Sequence, residues 1–175
     1  GSDAARNVAE LVLLNSNFSA IPKIVKEGRR TINNIERSAS LFITKTLYAL
    51  LLLVLFLFVD YAYPFIPIQL TLTSAFTIGI PSFILALEPN DERVKGNFLL
   101  NVTSVAFPTA ITIVFNIILL LIVADITNIS NDVISTLAVL LLATTGFMHI
   151  YRISYPLNII RWTLLISMIT SFLIA

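Results

Sequence analysis

Five side chains able to offer oxygen to a cation crowd one apolar stretch of this 175-residue sequence: Gln69, Thr71, Thr73, Ser74 and Thr77. Gly79 and Pro81 follow directly. Proline has no amide N–H, so Pro81 deprives the carbonyl of Thr77, four residues back, of its helical partner. A freed carbonyl beside hydroxyls suits a hard cation such as calcium, and neutral oxygens also suit sodium or potassium. The same residues also read as packing groups, because small polar side chains hold membrane helices together. Lys45 stands alone as a base within an apolar run. It either snorkels toward the end marked by Arg37, eight residues earlier, or is a built-in cation that shapes a transport site. Asn116, deep in another run, needs a hydrogen-bond partner and reads as interhelical glue or as a ligand.

Other chemistries are excluded or disfavoured. There is no Cys, which removes disulfides, thiolate metal sites and thiol nucleophiles. His149 is the single histidine, so a His-based metal centre or a Ser-His-Asp set is not expected. Beside Tyr151 and Arg152 it reads as interfacial, as Arg161 and Trp162 do at the start of the last run. No Walker-type phosphate loop occurs. No large basic face lies beyond the first forty residues, so nucleic acid is not an expected partner.

The elements that must position these groups are membrane helices. Hydrophobic residues make up 57% of the chain and charged residues 12%, against about 25% charged in soluble domains. Mean hydropathy is +0.92. Apolar runs predict spans at about 41–59, 65–87, 99–124, 133–150 and 157–175. The last run stops without a polar flank, which predicts a truncated end. The residues ahead of the first run do not read as a cleaved leader. Arg29, Arg30 and Arg37 flank span one, Arg93 and Lys95 lie between spans two and three, and Arg152 lies between spans four and five. The loops at Asp60 and at 125–132 hold no Lys or Arg. This alternation predicts a cytoplasmic N-terminus.

Ahead of the spans, Ser19 and Pro22 suit a helix start. Ile21, Ile24, Val25, Gly28, Ile32 and Ile35 keep one apolar stripe. One helix from about 20 to 59 would project from the membrane as a stalk; the other reading is an amphipathic helix lying on the surface. Residues 1–18 predict a short helix and then a strand at 11–14, too little to form a core alone. The expected architecture is therefore an all-α polytopic membrane protein of about five spans. Its first span is extended into a stalk at 19–40, after a helix–strand remnant at 1–18, with the membrane domain at 41–175.

Two segments carry a resemblance. G-S-D-A-A-R-N-V-A-E-L-V-L-L-N-S-N-F-S-A-I, followed by K-E-G-R-R-T-I-N-N-I, resembles the end of the phosphorylation domain of P-type cation-transporting ATPases, which leads through a stalk into their fifth membrane helix. I-P-I-Q-L-T-L-T-S-A-F-T-I-G-I-P-S-F-I-L-A-L-E-P-N resembles their sixth membrane helix. The later spans match helices seven to nine in hydropathy and sidedness only. Asn15-Ser16-Asn17-Phe18 departs from the family's Asp-Asp-Asn-Phe. Where calcium pumps of the family carry an acidic ligand in the sixth helix, this chain has Ile78. Where they carry Asn and Glu in the fifth helix, it has Thr46 and Ala49. A divergent bacterial branch linked to calcium uptake is the nearest likeness.

The resemblance implies the membrane portion of an ATP-driven pump in a bacterial plasma membrane. It implies an ion path among Lys45, Thr46, Gln69, Thr73, Ser74, Thr77, Pro81 and Asn116. ATP and magnesium would be handled by upstream domains of the same chain, and this segment alone would carry no catalytic residue and be inactive. Some proton-pumping relatives hold a lysine at the place of Lys45. The alternative is a stand-alone five-span subunit or scaffold without hydrolysis.

Overall fold

The computed structural model describes residues 3–13 and 17–175. Among them the regular structure is helical. Asp3–Val8 forms α1, a short helix that buries none of its residues. Residues 11–13, where a strand was expected, take no regular structure, and Leu14 lies outside the described residues. A strand needs a neighbouring edge to pair its backbone, and the described residues offer none.

A single 3₁₀ turn, Phe18–Ala20, leads into α2, Ile21–Phe56. The turn is capped by Asn17, whose Oδ1 accepts from the Ser19 amide at 3.1 Å, so Asn17 does the capping expected of Ser19. Pro22 occupies the first turn of α2, where its missing N–H costs nothing. At about 1.5 Å per residue the 36 residues of α2 extend roughly 54 Å. That is well beyond a hydrocarbon core of ~30 Å.

The next span is broken into three: α3 (Pro67–Ser74), a π-helical turn (Ala75–Gly79) and α4 (Ile80–Leu87). Then come α5 (Phe98–Thr127), α6 (Asn131–Ile153) and α7 (Ile159–Ile174). By length and composition, four of these helical stretches can cross a membrane; α7 is a shorter apolar helix. The five spans expected from hydropathy are thus present as helices.

Two apolar clusters hold the bundle. In one, Tyr48 and Leu52 of α2 pack with Ala110, Ile113 and Ile117 of α5 and with Ala138 and Leu142 of α6. In the other, Leu41, Ile78 and Leu85 meet Phe147 and Ile150 of α6 and Leu164 and Met168 of α7. Helices α2 and α6 each belong to both, so together they join the two clusters. Gly146 of α6 permits the closest approach. A Cβ there would lie 2.8 Å from Cγ2 and 2.9 Å from Cβ of Thr77, in the π-helical turn. By contrast a Cβ at Gly28 would meet nothing within 4 Å.

These two glycines should respond oppositely. Gly146→Ala overpacks a rigid contact and should cost about 1–3 kcal/mol, lowering the thermal midpoint of the detergent-solubilised protein. Gly28→Ala, in an open helical site, should raise it slightly, by roughly 0.5–1 kcal/mol. Equal midpoints for the two variants would contradict the packing.

Candidate functional site

The broken second span places the oxygen-bearing residues. Its start is set by Gln69, whose Oε1 accepts the Ile66 amide at 3.2 Å and also the Ser135 hydroxyl of α6 at 3.2 Å. Thr73 and Thr77 are buried, and each donates its hydroxyl to the carbonyl four residues back, at 2.8 and 2.7 Å. Thr71 does the same on the exposed side. The Ile80 amide reaches back five residues, to the Ala75 carbonyl, and the buried Pro81 has no amide to give. The Thr77 carbonyl therefore lacks its usual donor. Ser74 Oγ is buried without a hydrogen-bond partner, and the Tyr48 side chain of α2 approaches it. Thr73, Ser74 and Thr77 thus lie at the backbone irregularity, and Gln69 lies at the start of the span, before it.

The remaining candidates are placed elsewhere. Helix α2 turns Thr44 and Tyr48 into the bundle and leaves Lys45 and Thr46 exposed. Thr46 donates to the Phe42 carbonyl at 3.1 Å, and Lys45 has no ion pair or hydrogen bond among the described residues. The side chain of Asn116 donates to Thr145 Oγ1 of α6 at 3.2 Å, an interhelical bond. No group of three or more His, Asp or Glu able to hold a metal occurs among the described residues.

A second polar assembly sits where α4 ends, and the sequence reading missed it. Arg30 donates to the Leu87 carbonyl at 2.8 Å. Asn34 donates to the carbonyls of Ala86 and Glu88, at 2.8 and 3.0 Å. Asn33 donates to those of Asn90 and Glu92, at 3.1 and 3.0 Å, and Ser38 to that of Ser82 at 3.3 Å. These donors are spaced as one stripe of α2. The apolar stripe foreseen for the same segment is not the packed one: Ile24, Val25, Ile32 and Ile35 are exposed. The last carbonyls of a helix have no internal partner, and here a neighbouring helix supplies the donors.

Glu88 ties this seam to α7. It is 6% exposed and lies 3.2 Å from Arg37 of α2. Arg161 Nε reaches both its oxygens, at 3.0 and 2.8 Å, and Asn158 donates to it as well. Arg161 also donates to the carbonyls of Ser154 and Pro156. Arg161 is thus a buried ion-pair partner and not the interface anchor expected. A buried guanidinium is stable only when paired, and Glu88 pairs it. Trp162 beside it is exposed and packs edge-on against Tyr151. His149 is likewise buried between helices. It is 3% exposed, with Nε2 3.2 Å from Thr44 Oγ1 and Nδ1 2.9 Å from Thr109 Oγ1.

Burial alone would push the Glu88 carboxyl up. The bonds from Arg161 and Asn158, with the charges of Arg161 and Arg37, outweigh it and hold the group below its ordinary value.

The comparisons agree with this architecture. The chain is 36% identical over 99% of its length to a probable cation-transporting ATPase, exp7, of Streptococcus pneumoniae, of which it covers 23%. Over 65% of its length it is 45% identical to the calcium-transporting ATPase CtpE of Mycolicibacterium smegmatis, of which the match covers 16%. Over 54% it is 35% identical to a rabbit potassium-transporting ATPase alpha chain 2, of which the match covers 9%. No family model matches, and no solved structure matches. The fold is that of a polytopic helical membrane protein with one broken span and one overlong helix. Over most of its length the chain is homologous to the P-type cation-transporting ATPases, as a piece that spans less than a quarter of those relatives.

Because the folded carboxyl of Glu88 binds its proton less readily than the unfolded one, its contribution to stability is present above the unfolded value near 4.5 and fades as pH falls through the folded value. Melting curves recorded as a function of pH should show this acid-side decline. Glu88→Gln should remove that decline and cost about 3–5 kcal/mol at neutral pH, because the two guanidiniums lose their counter-charge. An unchanged midpoint in the variant would mean the cluster does not stabilise the bundle.

Proposed function

We propose that this chain is the membrane portion of an ATP-driven P-type cation pump, carrying calcium or another metal cation. In this reading the N-terminal part of α2 is a cytoplasmic stalk. Residues 1–18 end a phosphorylation domain, and residues 41–175 form the membrane domain, in a bacterial plasma membrane with the N-terminus cytoplasmic. Phosphorylation of an upstream Asp would move the stalk, and the stalk would shift the second span. ATP and magnesium would act in the upstream domains. The lipid bilayer, the transported cation and those domains are the partners, and nucleic acid is not one.

The observation that carries this reading is the seam between α2 and the end of α4. A helix about 54 Å long continues from outside the apolar core to its centre. Along its outer part it is bonded to the backbone of the very span whose middle opens into a π-helical turn. A pull on α2 therefore acts on that turn. The oxygens there are neutral: the Thr77 carbonyl, the Ser74 hydroxyl beside Tyr48 and the hydroxyls of Thr73 and Thr77. Neutral oxygens can replace part of the water shell of a hard cation without a fixed charge. Gln69 and Pro81 shape the two ends of this stretch. Asn116 braces α5 against α6 from the side. Lys45 and Thr46 face away, on a surface open to lipid or to other helices of the parent protein.

The test is made in the full-length parent protein. Cation-stimulated ATP hydrolysis should be measured across calcium and other metal cations. Ser74→Ala and Thr77→Val should each weaken the apparent affinity for the stimulating cation by about three- to tenfold, the effect of one lost ligand or hydrogen bond. Lys45→Met should change affinity less than either, because Lys45 faces away from that turn. Unchanged affinity in both hydroxyl variants would remove this stretch from the ion path. A parent that hydrolyses no ATP in any cation would favour the scaffold reading.

A further inference from the structure

Helix α6 brings two contacts within one turn of each other. Gly146 abuts Thr77 of the π-helical turn, and three residues later His149 reaches α2 and α5. His149 is used by nothing in the ion path described above. Its ring lies between two hydroxyls that belong to different helices, Thr44 of α2 and Thr109 of α5.

The hydrogens of this bridge follow from counting donors. A threonine hydroxyl has one hydrogen. Thr44 Oγ1 lies 2.6 Å from the Ser40 carbonyl, which can only accept, so the Thr44 hydrogen goes there. His149 then donates toward α2, to Thr44 Oγ1 with the Ser40 carbonyl as a second acceptor beside it, which puts the ring proton on Nε2. Nδ1 is left as an acceptor and takes the hydroxyl hydrogen of Thr109 at 2.9 Å, in preference to the Val105 carbonyl at 3.1 Å. The result is one directed chain, from Thr109 through the neutral ring and Thr44 to the Ser40 carbonyl. Every polar atom in it is satisfied, which matters because an unpaired group in this interior would be expensive.

We propose that His149 is a positioning residue for transport. Bonded through Nε2–H to Thr44, it sets how far α2 sits along α6, and so fixes where Thr77 lies against Gly146 when the stalk moves. The proposal rests on the pump reading, since transport is what the position serves. Helix α6 also meets Gln69 through Ser135 and Asn116 through Thr145. It is therefore the reference against which both α2 and the broken span are held, and His149 is the point where α2 engages it by hydrogen bonding.

The two amide variants divide the bridge. His149→Gln keeps a donor near the position of Nε2 and so keeps the bond to Thr44. His149→Asn keeps only a group near Nδ1 and loses it. Thr44→Val removes the same bond from the other side with little change of shape. In the full-length protein, ring ¹⁵N spectra should show His149 as the Nε2–H tautomer. Spin labels at the exposed positions Phe42 and Met148 should give a narrow distance distribution in the unmodified background and in His149→Gln, and a broadened one in His149→Asn and Thr44→Val. Cation-stimulated hydrolysis should show a three- to tenfold weaker apparent affinity in the latter two, with the maximal rate changed less than about twofold. An Nδ1–H tautomer, or equal behaviour of the Gln and Asn variants, would overturn the proposal. If no cation stimulates hydrolysis in the unmodified protein, the pump reading fails by itself. The tautomer and distance measurements then still decide whether His149 fixes α2.

Discussion

A helix that ends must find donors for its last carbonyls, and here the end of α4 finds them on a different helix. The carbonyls of Ala86, Leu87, Glu88, Asn90 and Glu92 all point at α2, which meets them with Arg30, Asn33 and Asn34. Removing that match would leave the Glu88 carbonyl buried and unpaired and the others to find water. The match also explains why α2 has to be long. Its outer half exists to hold α4, and its inner half packs on α5 through Tyr48 and Leu52. Glu88 then joins the seam to α7 through Arg161, so one carboxylate links three helices.

The bundle answers this rigid seam with a soft middle. The π-helical turn between α3 and α4 departs from regular bonding where Pro81 cannot donate. Threonines there bond back to their own helix, and such back-bonding favours bending. A stiff connection that leads to a deformable stretch confines movement to that stretch. The proposed ion path runs through this deformable stretch, where neutral oxygens of Thr73, Ser74 and Thr77 lie.

Much of this was legible in the sequence, because hydrocarbon thickness and proline chemistry act locally. The runs around 41–59, 65–87, 99–124 and 133–150 mark helices because 3.6-residue geometry and a bilayer of ~30 Å leave few alternatives. The disturbance at Thr77 follows from Pro81 alone. What stayed hidden depends on partners distant in the chain. Arg30, Asn33, Asn34 and Arg37 share a face, yet their acceptors are mostly backbone carbonyls, which every residue has. The apolar stripe at Ile24, Ile32 and Ile35 drew attention to the wrong face. His149 and Arg161 lie near the ends of their spans and so read as interfacial. Their burial is decided by Thr44, Thr109 and Glu88, from 40 to 105 residues away. The strand expected at 11–14 would have needed an edge that the described residues do not contain.

The pairing of Arg161 also bears on how the chain is assembled. A polypeptide emerges from its N-terminal end, so Arg37 and Glu88 are in place before α7 is made. In the folded bundle their contact leaves Glu88 beside α4 with both carboxylate oxygens able to accept from Arg161. Arg161 then arrives on a helix whose partner is waiting, and its guanidinium need not remain uncompensated in the bilayer. In the chain, α7 follows every other partner of this cluster. Its acceptor is built by helices inserted earlier.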